Sequence, residues 1–217
     1  MGARGQGSRR DHRLRIFLAG ATGAVGKRLV PLLASHEVFG TTRFAAKADA
    51  LRRLGARPVV VDVFDAAALA KAVLAAKPEI VIHQLTDLPP GLDPARMVEA
   101  AGRNARIRIE GTKNLFAAAL AAGARRLIAQ SIAWEPQGVS AEGVASLERQ
   151  TLQAHGIVLR YGRLYGPGTG KDDAPAELPC HVDVAARAAA IAVERGEPGI
   201  VRVTDAEPYL RLSSGTK

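Results

Sequence analysis

The feature that most constrains this chain is a set of three glycines placed three residues apart, between a predicted strand and a predicted helix. The strand is expected near residues 14–19 and the helix near residues 25–34. Glycines at such a turn allow positive φ and close approach of the backbone to a pyrophosphate, and the helix N-terminus offers free N–H groups. The turn therefore predicts a dinucleotide site, the alternative being a glycine turn without a ligand. Its predicted residues are Gly20, Thr22, Gly23, Ala24, Val25 and Gly26.

The rest of the chain alternates apolar runs of strand length with Ala-rich stretches of helical length. This order is typical of a parallel sheet with helices on both faces. We therefore predict an α/β fold, a Rossmann-type doubly wound parallel sheet. The predicted strands cover residues 14–19, 38–41, 58–63, 80–83, 126–131, 157–161 and 199–204. The predicted helices cover 25–34, 45–54, 66–76 after an N-cap at Asp65, 94–122, 141–155, and 182–194 with Asp183 as a candidate N-cap.

The chain length suits one domain with one large core, since 217 residues is close to the size of a single α/β unit. We expect residues 13–217 to form this NAD(P)-binding domain. Residues 162–181 and 205–217 are expected to contribute a reduced C-terminal lobe on the substrate side, with a loop over 162–179. Residues 1–12 are predicted to be a disordered basic arm.

Charge, cysteine and histidine content exclude several other classes of function. The formal net charge is +9, but the cations show no basic stripe interleaved with aromatics, so an anionic small ligand fits them better than nucleic acid. The apolar segment 16–19 is too short for a signal sequence or a membrane span. Cys180 is the single cysteine and the five histidines are scattered, so neither a disulfide nor a metal site is expected. We therefore expect a reducing compartment and a cytoplasmic location, the alternative being a transit peptide in the arginine-rich first residues.

The choice of dinucleotide depends on the end of the second strand, about twenty residues after the turn. An acidic residue there would bind a ribose hydroxyl, whereas an arginine would pair with a 2′-phosphate. The sequence has Thr41, Thr42 and Arg43 at this place and no acidic residue. Arg43 therefore favours NADP over NAD, the alternative being a solvated arginine.

The Gly-x-x-Gly-x-x-Gly spacing resembles that of the short-chain dehydrogenase/reductase superfamily, in particular its atypical and extended branches, the NAD(P)-dependent epimerases and dehydratases. The resemblance continues through the segments 81–86, 111–115, 159–167 and 181–188. It implies that Asp62 contacts the adenine amino group and that Val63 lines the same pocket. It also implies that Leu85 and Thr86 lie under the cofactor and that Pro167 approaches the nicotinamide. His83, in the same segment as Leu85, is expected to be a packing residue.

The catalytic residues match that superfamily only in part. Ser131 stands at the position of its catalytic serine, but residues 141–152 contain neither the tyrosine nor the lysine of its Tyr-x-x-x-Lys pair. Tyr161 or Tyr165, expected to face the nicotinamide, could replace the missing acid. The alternative is that both tyrosines only pack.

Two functions are compatible with this pattern. One is an atypical oxidoreductase or epimerase-like enzyme that acts on the carbonyl or hydroxyl group of a small molecule. The other is a non-catalytic NADP(H)-binding redox sensor or regulatory protein. The resemblance further implies a homodimer formed by the helices over 94–122 and 141–155.

Overall fold

The computed structural model describes residues 13–89, 93–207 and 209. The predicted basic arm over 1–12 lies outside the described residues. The same holds for most of the predicted lobe segment 205–217.

Seven parallel strands form the central sheet, which confirms the predicted fold class. The strands are β1 Arg15–Ala19, β2 Glu37–Thr42, β3 Arg57–Val60, β4 Ile80–His83, β5 Arg126–Ile132, β6 Ile157–Tyr161 and β9 Gly199–Val203. Their order in the sheet is β3-β2-β1-β4-β5-β6-β9, so the chain order reverses direction between β1 and β4. Clefts that bind ligands occur at such a reversal, beyond the carboxyl ends of the strands.

A second, two-stranded sheet corrects the prediction of a loop over 162–179. Strand β7, Arg163–Tyr165, pairs in parallel with strand β8, Pro179–His181. Strands of three residues give too short an alternation of apolar and polar residues to be recognised in a sequence. The pair fixes the segment between β6 and the last helix above the carboxyl ends of the main sheet.

Helices cover both faces of the main sheet, α1 beside α7 on one and α3 beside α5 on the other. A short π-helical segment, Ile107–Gly111, joins α4 to α5, so that the predicted long helix over 94–122 is confirmed as one continuous rod with an irregular middle. The helices are α1 Ala24–Leu32, α2 Ala48–Leu54, α3 Ala66–Ala76, α4 Pro94–Arg106, α5 Thr112–Ala121, α6 Val139–Gln153 and α7 Val182–Arg195.

Alternating side chains of the strands fill two separate cores, one on each face of the sheet. In β1, Ile16 and Leu18 belong to the core under α1 and α7, whereas Phe17 belongs to the core under α3 and α5. This division follows from the two-residue period of a strand. Cys180, fully buried in the first core, carries a free thiol, and burial raises the pKa of that thiol to about 12.

The two predicted N-caps have different outcomes. Asp65 caps α3 as predicted, because its carboxylate accepts a hydrogen bond from the Ala68 N–H at 2.9 Å. The prediction for Asp183 is wrong. His181 caps α7 instead, with its imidazole accepting from the Asp183 N–H, and the Asp183 carboxylate forms an ion pair with Arg28 at 2.6 Å.

No helix in the described part of the chain is both long enough and apolar enough to cross a membrane.

Candidate functional site

A large cleft of about 1230 Å³ lies beyond the carboxyl ends of the strands at the reversal of strand order. It extends from the glycine turn to the start of α6, and most of the predicted site residues line it. These are Gly20, Thr22, Gly23, Ala24, Val25, Gly26, Arg43, Val63, Leu85, Thr86, Ser131 and Tyr161.

The glycine turn is shaped so tightly that side chains at two positions could not be accommodated. Gly20 has φ +90°, and a Cβ added there would lie 2.5 Å from the carbonyl oxygen of Gln84. A Cβ on Gly26 would overlap the carbonyl oxygen of Gly20. The Gly20 N–H donates to Thr41 Oγ1 at 3.1 Å, which ties the turn to the end of β2.

The N-terminus of α1 faces the cleft and carries no acidic residue in its first turn. Its free N–H groups and positive dipole end favour an anion. The glycine turn and this helix end together fit the pyrophosphate of a nicotinamide dinucleotide.

Two cations line the cleft after β2. Arg43, about two-fifths exposed, lies 3.3 Å from Asp87. Lys47, which sequence reasoning missed, lines the same end and lies 5.0 Å from the centre of the Phe44 ring. Its signal in the sequence is weak, since a lysine near the start of a helix is ordinarily a solvated residue.

The structure does not bring three predicted residues to the cleft. The Asp62 carboxylate accepts from the Phe64 N–H at 2.9 Å and so stabilises the turn after β3. Pro167 is exposed in the loop after β7. Tyr165 donates to Asp205 at 2.8 Å, packs its ring edge-on to His181, and lines a separate cavity of about 390 Å³.

Ser131 lies on the cleft wall, but its hydroxyl proton is directed away from a substrate. The hydroxyl donates to Glu148 Oε1 at 2.6 Å, and both groups are buried. Glu148, on α6, also accepts from Arg160 on β6, through Oε1 at 2.8 Å and Oε2 at 2.5 Å. Burial alone would raise the pKa of Glu148, but these hydrogen bonds outweigh it and hold the pKa below its ordinary value.

Tyr161 borders the cleft and is almost fully buried. Its hydroxyl accepts a hydrogen bond from the Gln84 side-chain amide at 3.1 Å. Burial raises the pKa of Tyr161 well above its ordinary value, so the phenol stays protonated at any physiological pH. A phenol with so high a pKa is a poor general acid.

His83 is a core residue, as the packing interpretation expected. It is fully buried, and its Nδ1 accepts from the Leu85 N–H at 3.4 Å. Burial, with a smaller contribution from the positive charge of Arg108, lowers the pKa of His83 to about 4. The imidazole is therefore neutral near pH 7.

Arg108 enters the cleft from the π-helical segment, and Trp134 lines the wall beyond Ser131. The guanidinium of Arg163 lies 4.9 Å from the centre of the Trp134 ring, and both residues line the cleft. This end of the cleft thus combines an aromatic surface with two cations. Sequence reasoning missed all three residues, because only the fold brings them together.

Comparison with known proteins agrees with this geometry. The sequence profile of a family described as NAD(P)H-binding matches residues 20–155. A Streptomyces sp. protein named 3-diazoavenalumate denitrifying reductase is 40% identical over 240 residues, which cover 90% of this chain and 77% of that protein.

Among solved structures, UDP-glucose 4-epimerase from Thermotoga maritima superposes with a TM-score of 0.70 at 18% identity, over 87% of this chain and 76% of the other. The dTDP-glucose 4,6-dehydratase DesIV from Streptomyces venezuelae superposes with a TM-score of 0.68 at 19% identity, over 88% and 75%. These two likenesses establish a shared fold. The profile match and the 40% identical reductase establish more, namely that this chain belongs to the family described as NAD(P)H-binding.

Proposed function

We propose that this chain is an NADP(H)-dependent reductase whose substrate accepts hydride without needing a proton from the protein. The observation that carries the proposal is the pairing of a complete dinucleotide cradle with a cleft wall that lacks a usable acid. The cradle is formed by the glycine turn and the start of α1. The wall holds Ser131, whose proton is engaged by Glu148, and Tyr161, whose pKa is strongly raised.

Arg43 and Lys47 support NADP(H) rather than NAD(H). Both cations line the cleft just after β2, where the adenosine ribose of a dinucleotide lies in this fold. A 2′-phosphate carries close to two negative charges and accepts several hydrogen bonds, so a guanidinium and an ammonium together suit it. Asp87 can release Arg43 at low cost, because Arg103 also pairs with Asp87, at 3.2 Å.

The missing acid bears on the reaction. When bound, NADPH supplies a hydride. A carbonyl that receives hydride becomes an alkoxide, which must be protonated and which donors must stabilise in the transition state. Neither a tyrosine nor a lysine is present on α6, and the Ser131 hydroxyl can offer the substrate only its lone pairs while it donates to Glu148. Carbonyl reduction is therefore a poor fit to this site.

An aromatic diazo compound is a better fit, and this is the substrate class that we propose. The 40% identical relative is named as a reductase that denitrifies a diazo compound. In the reduction of an aryl diazonium, hydride forms the new C–H bond, and the C–N bond breaks with its electron pair leaving in dinitrogen. No alkoxide forms, so no positioned acid is required. Trp134 offers an aromatic face on which the ring of such a substrate can stack.

The test is a comparison of substrates with the purified protein. We expect enzyme-dependent oxidation of NADPH with an ortho-diazophenol, one dinitrogen released per NADPH, and no turnover of a panel of ketones and aldehydes. With NADPH deuterated at C4, deuterium should appear on the ring carbon that lost nitrogen. A reaction without protein serves as the control. Turnover of the carbonyl panel, or no enzyme-dependent loss of nitrogen, would contradict the proposal.

A non-catalytic redox sensor is the second candidate. The short hydrogen bond from Ser131 to Glu148 and the masked hydroxyl of Tyr161 favour it, since both catalytic positions are occupied by internal contacts. Tight binding of NADPH with no turnover of diazo or carbonyl compounds is the result that would support this alternative.

A further inference from the structure

We infer that Arg108 binds a carboxylate of the substrate and thereby selects aromatic acids. This inference deepens the proposed function and rests on it for the identity of the reacting group. It concerns the reaction end of the cleft, away from Arg43 and Lys47.

The π-helical segment Ile107–Gly111 sets the direction of Arg108. A π turn changes the rotation of the side chains that follow it, and such segments are frequent at functional sites. The charged neighbours of Arg108 on the same rod have partners: Arg106 pairs with Glu110 at 2.7 Å, and Arg103 pairs with Asp87 at 3.2 Å. Arg108 points into the cleft instead.

Arg108 makes no hydrogen bond or ion pair with any residue that the structure describes, and it is half-buried. Burial also lowers the pKa of Arg108. The negative charge that acts on it most is Glu148. Both carboxylate oxygens of Glu148 are already occupied by Arg160, and one of them also by Ser131.

A cation that is partly removed from water and has no partner destabilises the protein that contains it. Such an arrangement is retained in a protein when a bound ligand supplies the missing negative charge. A planar carboxylate is the natural group, since a guanidinium can hold it with two parallel hydrogen bonds. The pyrophosphate of the dinucleotide is excluded as that partner, because the glycine turn and α1 receive it at another part of the cleft.

The position of Arg108 relative to Ser131 follows from the packing of the π-helical segment on α6, the helix that carries Glu148. The charge of Arg108 acts on Glu148, which holds Ser131, and on His83 at the end of β4. Arg108 therefore lies at the Ser131 end of the cleft, where Trp134 offers its ring. A substrate whose aromatic ring stacks on Trp134 and whose carboxylate binds Arg108 spans this end of the cleft.

Binding of a matched pair of ligands tests the assignment without turnover. The probes are 4-hydroxybenzoate and its methyl ester, titrated calorimetrically into protein saturated with NADP⁺. Wild-type protein should bind the carboxylate at least about tenfold more tightly than the ester, corresponding to about 1.4 kcal/mol. Arg108→Met should remove this preference. Arg125→Met should retain it, because Arg125 lies at the amino end of β5, away from the cleft, where it pairs with Glu79.

Folding of the variant is monitored by its affinity for NADPH and its melting temperature. Arg108→Met should bind NADPH as the wild type does and melt at the same or a higher temperature, because a poorly solvated cation has been removed. A clearly lower melting temperature would show that Arg108 has a structural partner and would overturn the assignment. A wild type that binds acid and ester equally, or binds neither, would overturn it as well.

Turnover separates this inference from the proposed function. With 3-diazo-4-hydroxybenzoate and its methyl ester as substrates, wild-type protein should prefer the acid, and Arg108→Met should lose the preference through KM. If neither diazo compound is reduced but Arg108→Met still loses its preference for 4-hydroxybenzoate, the proposed reaction fails and the carboxylate site stands. If the wild type reduces both diazo compounds equally, the proposed reaction stands and the carboxylate site fails.

Discussion

Single residues in this cleft show where sequence information is sufficient and where it ends. Arg43 could be predicted as the 2′-phosphate ligand from its place after the second strand, because this prediction depends on one local position. The role of Ser131 could not, since its partner Glu148 lies 17 residues away on α6 and is held by Arg160 from β6. The direction of one hydroxyl thus depends on an ion pair between two elements, which no local pattern encodes.

Substitution of Arg43 tests the choice of cofactor. Arg43→Ala should weaken binding of NADPH about 10- to 100-fold, because hydrogen bonds to a charged group contribute about 1.5–3 kcal/mol each. Binding of NADH should hardly change, since NADH lacks the 2′-phosphate. Fluorescence titration with both nucleotides gives the ratio, and Arg57→Ala, an exposed arginine outside the cleft, is the control. An equal loss for NADPH and NADH would contradict the assignment of Arg43.

His83 should make stability depend on pH. The unfolded chain takes up a proton at this histidine below about pH 6.5, whereas the folded protein, with a pKa of about 4, does not. The contribution of His83 to the free energy of unfolding is therefore fully present above pH 6.5, and it is lost as the pH is lowered towards 4. Between pH 6.5 and 5 the loss should be about 2 kcal/mol.

The control for this prediction is His83→Asn, which keeps an acceptor for the Leu85 N–H but has no titrating group in this range. Urea unfolding at pH 5, 6 and 7 should show a shallower dependence on pH in the variant. Identical slopes in the two proteins would mean that folding does not lower the pKa of His83.

At the scale of the elements, the sequence predicts the long, regular ones well. Every strand of the main sheet and every long helix lies within a few residues of its predicted position, because the central strands and most of the helices bury a regular series of apolar residues. Strands β7 and β8 and the π-helical segment were missed. These elements are short. In residues 107–111 the apolar residues continue the helical spacing of α4, so the sequence pattern does not reveal the extra residue of the π turn.

The junction between β1 and α1 should tolerate no side chain at Gly26. In Gly26→Ala the new Cβ would meet backbone atoms of Gly20 and Ala21, which cannot rotate away. We expect a loss of about 1–3 kcal/mol in the free energy of unfolding together with a loss of NADPH binding.

Gly102→Ala provides the matched control on α4. No atom of the described residues lies within 4 Å of a Cβ at Gly102, so alanine should stabilise the helix there by about 1 kcal/mol. Urea unfolding of both variants gives the comparison. A Gly26→Ala protein that is as stable as the wild type and binds NADPH normally would mean that the turn can open.

For the whole molecule, occupation of the cleft by NADPH should stabilise the fold that surrounds it. The cleft is bordered by both halves of the sheet, so the folded chain alone can form it. At 100 times its dissociation constant, NADPH should add about 2.7 kcal/mol to the free energy of unfolding. For a chain of this size the melting temperature should rise by about 5–10 °C.

Differential scanning calorimetry checks this expectation, with NADH at the same concentration as the comparison. We expect a smaller rise with NADH. No rise with either nucleotide would contradict the assignment of the cleft as a nicotinamide dinucleotide site and would leave only the architecture.

A homodimer through the outer faces of α4 and α6 stays a prediction. Val98 on α4 is 84% exposed and would be covered by such an interface. Sedimentation equilibrium should give twice the chain mass of 22.8 kDa, and Val98→Glu should shift the protein towards the monomer. A monomeric wild type at micromolar concentration would contradict the prediction.

Because Cys180 is buried, a spectroscopic label can be attached to this chain at a single introduced cysteine. Its thiol is inaccessible and stays protonated near neutral pH, so maleimide reagents should leave it untouched in the folded protein. A cysteine introduced at an exposed position such as Glu135, on the rim of the cleft, would then be the only reactive one. A fluorophore attached there could follow the arrival of nucleotide and substrate in separate steps, without any need to remove the native thiol.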